Sequence, residues 1–417
     1  MNQLMRIVVC LGVMWFGAVC SAAESAPKNW NQYRGYGGDG RADAADLPVE
    51  FGESQNVKWK VPMQGKAWSS PVIWGDDIWL TNAQPDGKQM FAVRVDANSG
   101  KVLKTILVFE NSDPKFCYPM NSYATPTPVV EANKVYVHFG VHGTACLDAQ
   151  SGKTLWERRD LKCNHHRGPA SSPIVWNDLL ILLFDGFDVQ YVVALNKNTG
   201  KTVWKHKRAF DFKTTNGDRM KAYCTPTVIE HKGRVQLICP AAVATEALDP
   251  KTGKVLWTVR HGGMNASARP IYGDGLLFIS NGMGSMVAVN PSGKGDVTKV
   301  YVAWSTKRNV PKKSSLVFLD GHLYMISDNG VASCLVAKTG KVVWSERLTG
   351  DLAASPILAK GKLYFFDRAG KAPVIAAATK FKKLANNKLP EGCMASPAIS
   401  GNAMIVRTTG HLYRFEK

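Results

Sequence analysis

Arginines, tyrosines, histidines and carboxylates collect in this chain at the connections that interrupt an otherwise regular β pattern. Tyr118 and Tyr123 stand before one repeat, His165, His166 and Arg167 before the next, Arg219 and Tyr223 before a third, Asn265 and Arg269 before a fourth. Connections inside repeats carry His138 and His142, Asp185 and Asp188, Asn281, Asp328 and Asn329, Arg368 and Arg407. Guanidinium groups, phenols and carboxylates brought to one mouth would suit a polar or anionic ligand, because arginine presents paired donors to an oxyanion. The candidate ligand-binding set is therefore Tyr123, His165, His166, Arg167, Asp185, Asp188, Tyr223, Arg269, Asp328, Arg368 and Arg407. Asp185-Gly186 and Asp328-Asn329-Gly330 are equally good turn formers.

Other chemistries find little support. His138, His142, His165, His166 and Cys163 suggest a metal site, yet no carboxylate joins them in a ligand motif, so no metal is expected. There is no Gly-x-Ser-x-Gly nucleophile elbow, no phosphate-binding loop and no Cys-x-x-Cys-His haem attachment. No catalytic residue is assigned.

The elements that must position these residues repeat along the chain. Openers of Ser-Pro or Thr-Pro type occur at Ser70-Pro71, Thr125-Pro126, Ser172-Pro173, Thr225-Pro226, Arg269-Pro270, Ser314-Ser315, Ser355-Pro356 and Ser396-Pro397, at steps of 40 to 55 residues. Each leads through apolar runs to a closing turn, clearest at Asp148–Trp156, Asn196–Trp204, Asp249–Trp257 and Ala337–Trp344. In the copy from Ala170 to Trp204, proline starts one strand and Leu179–Phe184 is an apolar run covered on both faces. Tyr191–Asn196 follows, and Gly200 takes the tight turn before Lys201–Trp204. A strand-built repeat of this period predicts an all-β, eight-bladed β-propeller of four-stranded antiparallel blades.

The tryptophan at the end of each outer strand is expected to lie over a neighbouring blade's glycine turn. The last copy stops after three strands, whereas Val57–Lys60 has the outer-strand pattern and precedes the first opener, so first and last are expected to pair and close the ring. The domain reading is a signal peptide over 1–23, a lead-in over 24–56 wrapping the outside, and the propeller over 57–417. Loops from outer strand to next inner strand, and from second to third strand, share one face; the Thr-Gly-Lys turns occupy the other.

These turns resemble the Ala-x-Asp-x-x-Thr-Gly-Lys-x-x-Trp repeat of the pyrroloquinoline-quinone (PQQ) type propellers, over about Trp30 to Phe415. Trp30-Asn31-Gln32-Tyr33-Arg34-Gly35, Leu47-Pro48 and Trp59 are similar to exported bacterial members of that family. The resemblance implies either of two classes. Quinoprotein dehydrogenases hold PQQ with calcium over the ring centre, use an aspartate base and often stack an adjacent-cysteine disulfide on the cofactor; this chain has no adjacent cysteines. In that class Arg269, Arg407 or Arg368 would hold the PQQ carboxylates and Asp185 would serve as metal ligand or base. The second class is non-catalytic and uses the same repeats as a docking surface, like the propeller lipoprotein of outer-membrane protein assembly.

Composition and charge narrow the partners. Hydrophobic residues at 45%, with 37 glycines and 21 prolines, supply both a core and many turns. Arg6, the apolar run Ile7–Val19 and Ser21-Ala22-Ala23 form an export signal too short for a comfortable membrane span. Val19 before Cys20 disfavours lipidation, and no second run of spanning length follows. An exported chain of formal charge +19 makes nucleic acid an unsuitable partner and favours an envelope protein or an anionic ligand such as an acidic polysaccharide. Lysines on the solvated Thr-Gly-Lys turns account for part of that charge. The seven cysteines beyond Ala23 sit mostly in apolar strand patterns, as buried small hydrophobes do. The reading is an exported, non-enzymatic scaffold without cofactor, with a PQQ-dependent oxidoreductase or an anionic-polysaccharide binder as alternatives.

Overall fold

The computed structural model describes residues 29–417; the expected signal peptide lies outside the described residues. Eight antiparallel sheets follow one another along the chain, with innermost strands beginning at Val72, Val129, Ile174, Thr227, Ile271, Val317, Ile357 and Ala398. These are blades 1 to 8. Blade 3 shows the common pattern: Ile174–Trp176, Leu179–Asp185, Gln190–Asn196 and Thr202–Lys207, the second strand buried throughout. Closure is as expected, Val57–Pro62 pairing antiparallel with His411–Phe415 as the fourth strand of blade 8. Every blade then has a neighbour on each face, so both faces of the inner strands can be apolar.

Two devices of the repeat tie blades together. At the perimeter, outer-strand tryptophans cover the next blade's glycine turn: Trp59, Trp156, Trp204 and Trp304 lie over Gly100, Gly200, Gly253 and Gly340. Their indole N–H groups donate to Ala97, Lys197, Pro250 and Ala337 carbonyls at 2.9–3.1 Å. Only glycine suits these turns, since φ at Gly253 is +70° and a Cβ there would stand 2.6 Å from Trp204. Gly253→Ala should cost about 1–3 kcal/mol in backbone strain plus the displaced indole, whereas Gly233→Ala, at φ +75° with nothing within 4 Å, should cost the strain alone. Urea unfolding of both variants isolates the stacking contribution as their difference; equal losses would remove it.

At the axis, a belt of hydroxyl groups links the openers. The backbone N–H of Ser70 donates to Thr127 Oγ1 at 3.0 Å, Thr127 to Ser172 Oγ at 2.9 Å, and Ser172 to Thr225 Oγ1 at 3.1 Å. Arg269 donates to Ser315 Oγ, Ser315 to Ser355 Oγ and Ser355 to Ser396 Oγ, each at 2.9 Å, and Ser396 returns to Ser70 Oγ at 3.1 Å. The belt identifies the second opener as Thr127-Pro128 rather than Thr125-Pro126, the tandem Thr-Pro pairs having made the register ambiguous. Arg269 occupies the position where the fifth hydroxyl would stand, so the link from blade 4 to blade 5 is missing there.

The lead-in does not wrap the outside. Trp30 pairs with Ile73 on the innermost strand of blade 1, and Asn31 accepts from the Val130 N–H of blade 2. Tyr33 reaches Ser355 Oγ at 3.0 Å, and Arg34 donates to the Leu316 and Pro356 carbonyls of blades 6 and 7 at 2.7 and 3.2 Å. The chain then returns beside blade 7, with Arg41–Ala42 parallel to Leu358–Ala359. Innermost strands surround the axis, so contacts with so many of them place Trp30–Ala42 in the central channel as a plug. Beyond it, Ala45, Leu47 and Phe51 join the core between blades 7 and 8.

Candidate functional site

Above the plug lies a funnel on the axis, a cavity of about 500 Å³ with Tyr33 at its floor. Its walls follow the repeat. The lower tier is the hydroxyl belt where the plug leaves it uncovered: Ser70, Thr127, Ser172, Thr225 and Ser396. The upper tier comprises the residues two places before each opener: Trp68, Thr125, Ala170, Tyr223, Ser267, Lys313, Ala353 and Met394. Successive openers are related by rotation about the axis, so an equal offset from each lands on the same circle. Tyr118, Met120, Asn121, Arg167, Asn265, Met283, Lys312 and Asp328 form the mouth.

Of the sequence-derived candidates, Arg167, Tyr223 and Asp328 line this funnel. Arg167 stacks over the Tyr118 ring at 5.6 Å and stands 3.5 Å from Asp218. Tyr223 donates its hydroxyl to the His165 carbonyl at 3.3 Å, leaving its ring to the cavity. Asp328 accepts from the Lys312 N–H at 2.8 Å and pairs with the Lys313 ammonium at 2.9 Å. Arg167, Lys312 and Lys313 against Asp328 leave the funnel positive.

The others do different work. Asp185 is buried and faces away from the funnel into a two-bond pair with Arg208, at 2.9 and 2.7 Å, between blades 3 and 4. Arg407 is buried too, its guanidinium donating to Ser69 Oγ and the Thr81 carbonyl, both at 2.9 Å. Arg269 holds the plug, donating to the Tyr33 carbonyl at 2.7 Å and to Gln32 Oε1 at 3.3 Å. Burial, reinforced by the nearby charge of Arg34, pushes Arg269 down to about 10. Arg368 pairs with Asp351 at the surface, and Asp188 caps its own turn by accepting from the Asn164 and Val189 N–H groups at 2.7 and 2.8 Å. Tyr123 packs over Gly87 and donates to the Lys115 carbonyl at 2.8 Å, beside a smaller crevice. None of these six lines the funnel, since the sequence pattern assigns a face to each and no radius from the axis.

The histidines are structural in their contacts. His138 Nδ1 meets Thr144 Oγ1 at 2.8 Å, and His165 Nε2 accepts the Val141 N–H at 3.1 Å. His166 is exposed, its ring within 6.5 Å of Phe116 and 5.4 Å of Phe187. Burial drives His138 down to about 3 and His142 and His165 to about 4, with Arg159 and Lys115 adding to the effect at His142 and a neighbouring histidine at the other two. In the unfolded chain these rings protonate near pH 6.5. Their neutral packing therefore contributes fully above pH 6.5 and is lost progressively as pH falls from there to about 3. Each unmatched proton contributes a slope of up to about 1.4 kcal/mol per pH unit. Denaturant midpoints measured from pH 7.5 to 4 should fall, and His142→Asn should flatten the curve; an unchanged profile would contradict this.

Calcium and a quinone find no matching donors. Among the described residues no group of three or more His, Cys, Asp or Glu side chains stands together as a metal site. The funnel's carboxylate, Asp328, is committed to Lys312 and Lys313. Of the residues assigned to PQQ, Arg269, Arg407 and Asp185 are buried in structural contacts away from the cavity, and Arg368 pairs with Asp351 at the surface. The residues present do not fit the cofactor, and no redox step is derived from them.

The model of the family described as outer membrane protein assembly factor BamB matches residues 56–246 and 241–410, almost the whole ring. The chain belongs to this BamB propeller family. It is 22% identical over 297 residues to an uncharacterized protein of Rickettsia prowazekii, covering 67% of this chain and 62% of that one. It is 23% identical over 186 residues to outer membrane protein assembly factor BamB of Moranella endobia, covering 42% of this chain and 46% of that protein. The chain thus matches less than two thirds of the length of either relative. Among solved structures, a europium-containing methanol dehydrogenase superposes with a TM-score of 0.70 at 12% identity, covering 94% of this chain and 98% of that one. At that identity the likeness establishes the propeller fold alone. No helix among the described residues is long and apolar enough to cross a membrane.

Proposed function

We propose that this chain is an exported, non-enzymatic propeller that docks an envelope protein across its funnel face. The observation that carries the reading is the apolar rim on that face: Phe116 is 62% exposed, Met283 49%, Tyr118 42% and Phe187 40%. These side chains sit in the loops where the repeat breaks off, and exposed aromatic and methionine side chains around a charged mouth have the composition of a protein-binding hot spot. Membership of the BamB family supports docking as the family's use of the fold. On the side of the Thr-Gly-Lys turns, exposed apolar residues are aliphatic and lie on separate outer strands, at Leu103, Leu155, Val203, Val255 and Val343.

Photo-crosslinking in intact cells tests the proposal. A crosslinker at Phe116 or Phe187 should trap a discrete protein adduct, and one at Lys153 on the opposite face should not. Adducts from Lys153 alone would overturn it. Turnover of alcohols or sugars by the purified protein with calcium and PQQ would overturn the non-enzymatic part.

A further inference from the structure

We propose that the axial funnel binds a carboxylated sugar ring, a uronic acid residue free or at a chain end. The inference rests on the inner walls of the funnel, independently of the apolar rim outside it.

The lower tier is an array of uncommitted donors. Ser70, Thr127, Ser172, Thr225 and Ser396 are each no more than 4% exposed as residues, yet line the cavity. Each hydroxyl oxygen accepts a backbone N–H from the preceding opener. That bond uses a lone pair and leaves the hydroxyl's own hydrogen, for which no acceptor exists among the described residues. A buried donor without a partner is costly, so such hydrogens call for acceptors from whatever fills the cavity. Five of them around one axis suit a compact ligand bearing oxygens on several sides.

The upper tier supplies flat surfaces. Trp68 donates its indole N–H to the Met120 carbonyl at 3.1 Å and Tyr223 gives its hydroxyl to the His165 carbonyl, so their polar atoms are spent. What remains is ring face and edge, joined by Met394. A sugar ring has this mixed character: C–H groups on its faces and oxygens around its rim. A small aliphatic polyacid has no face to offer the aromatic rings.

Charge at the mouth selects the acid. Arg167 stands at the approach to blade 3 with Asp218 3.5 Å away, and Lys312 and Lys313 at the approach to blade 6, most of the way across the funnel, with Asp328 paired to Lys313. The Lys312 ammonium makes no ion pair among the described residues and is exposed. A carboxylate on the sugar rim would meet it at the mouth while the ring's hydroxyl oxygens descend to the belt.

Isothermal titration of the full-length protein with glucuronate, glucose and citrate tests the assignment, with Trp68 fluorescence as a second readout. Glucuronate should saturate at one site and shift the emission, while glucose and citrate bind at least tenfold more weakly. Lys312→Glu and Arg167→Glu should each weaken glucuronate tenfold or more, and Lys153→Glu on the opposite face should leave it unchanged. Lys312 is exposed, so its variant keeps the fold, which thermal unfolding verifies. Absence of saturation overturns the proposal, and so does equal binding of glucose, equal binding of citrate, or indifference to Lys312→Glu.

Discussion

Replacing Arg208 by methionine is expected to destabilise the fold by about 3–5 kcal/mol, because it leaves buried Asp185 without a cation and buried Glu246 with His206 alone. Arg208 lies between blades 3 and 4 with its side chain 1% exposed, and it bonds Asp185 at 2.9 and 2.7 Å, Glu246 at 3.3 Å and the Cys239 carbonyl at 2.9 Å. Burial opposes its charge, but Asp185 and Glu246 hold the guanidinium above its ordinary value. Burial lifts Asp185, with Arg208 pulling against it. Burial also works to lift Glu246, yet His206 and Arg208 bring that carboxyl below its usual range. Denaturant unfolding should show the loss. Adding Asp185→Asn and Glu246→Gln should recover part of it, since the charges left behind cause most of the damage. A loss below 1 kcal/mol for Arg208→Met would show that water reaches the cluster.

The second large effect is expected at the plug. Arg34 is 1% exposed and donates to the Leu316 and Pro356 carbonyls and to the Asp39 carbonyl at the plug's own turn. Arg34→Ala removes the shared donor of blades 6 and 7 and leaves two carbonyls of the ring facing an apolar gap, at about 1–3 kcal/mol each. The ring keeps its own belt and perimeter contacts, so the loss should be local. Limited proteolysis should cleave the variant within residues 29–42 while the blades stay protected, and Arg34→Lys should restore one contact at most. Protection of 29–42 equal to the parent would show that Trp30 and the return strand hold the plug unaided.

The architecture was legible because its determinants are local and repeated. A proline at a strand start, a glycine at a +70° turn and a tryptophan four residues later are readable within one copy, as in Asp249–Trp257, and eight copies closing on Val57–Lys60 set the ring. The site was legible only by face. Arg167, Tyr223 and Asp328 line the funnel, as do Trp68 and Met394, which were not singled out although a constant offset of two residues before the openers marks them. Asp185 and Arg407 were misplaced because their partners, Arg208 and Ser69, are distant in sequence and come together only across packed blades. The course of the lead-in was hidden for the same reason: Tyr33 and Ser355 are 322 residues apart. Asn29 to Ala42 contains no repeat that would disclose its neighbours.

The break in the hydroxyl belt at Arg269 bears on how the ring opens. Where blade 4 meets blade 5, fastening is added farther out: Gly295–Asp296 runs parallel along Trp257–Thr258, Arg260 N–H donates to Thr298 Oγ1 at 2.9 Å, and His231 bridges Tyr272 and Ser292 at 2.8 and 2.7 Å. Seven seams carry the hydroxyl clasp at the hub, whereas this one keeps there the Tyr223 N–H on the Ala266 carbonyl at 2.7 Å and the Cys224 thiol on the Ala268 carbonyl at 3.3 Å. A closed circle with one differently clasped joint has a built-in hinge. Slow amide exchange should therefore relax first along that radius, and a wedge opened there widens from the hub outward.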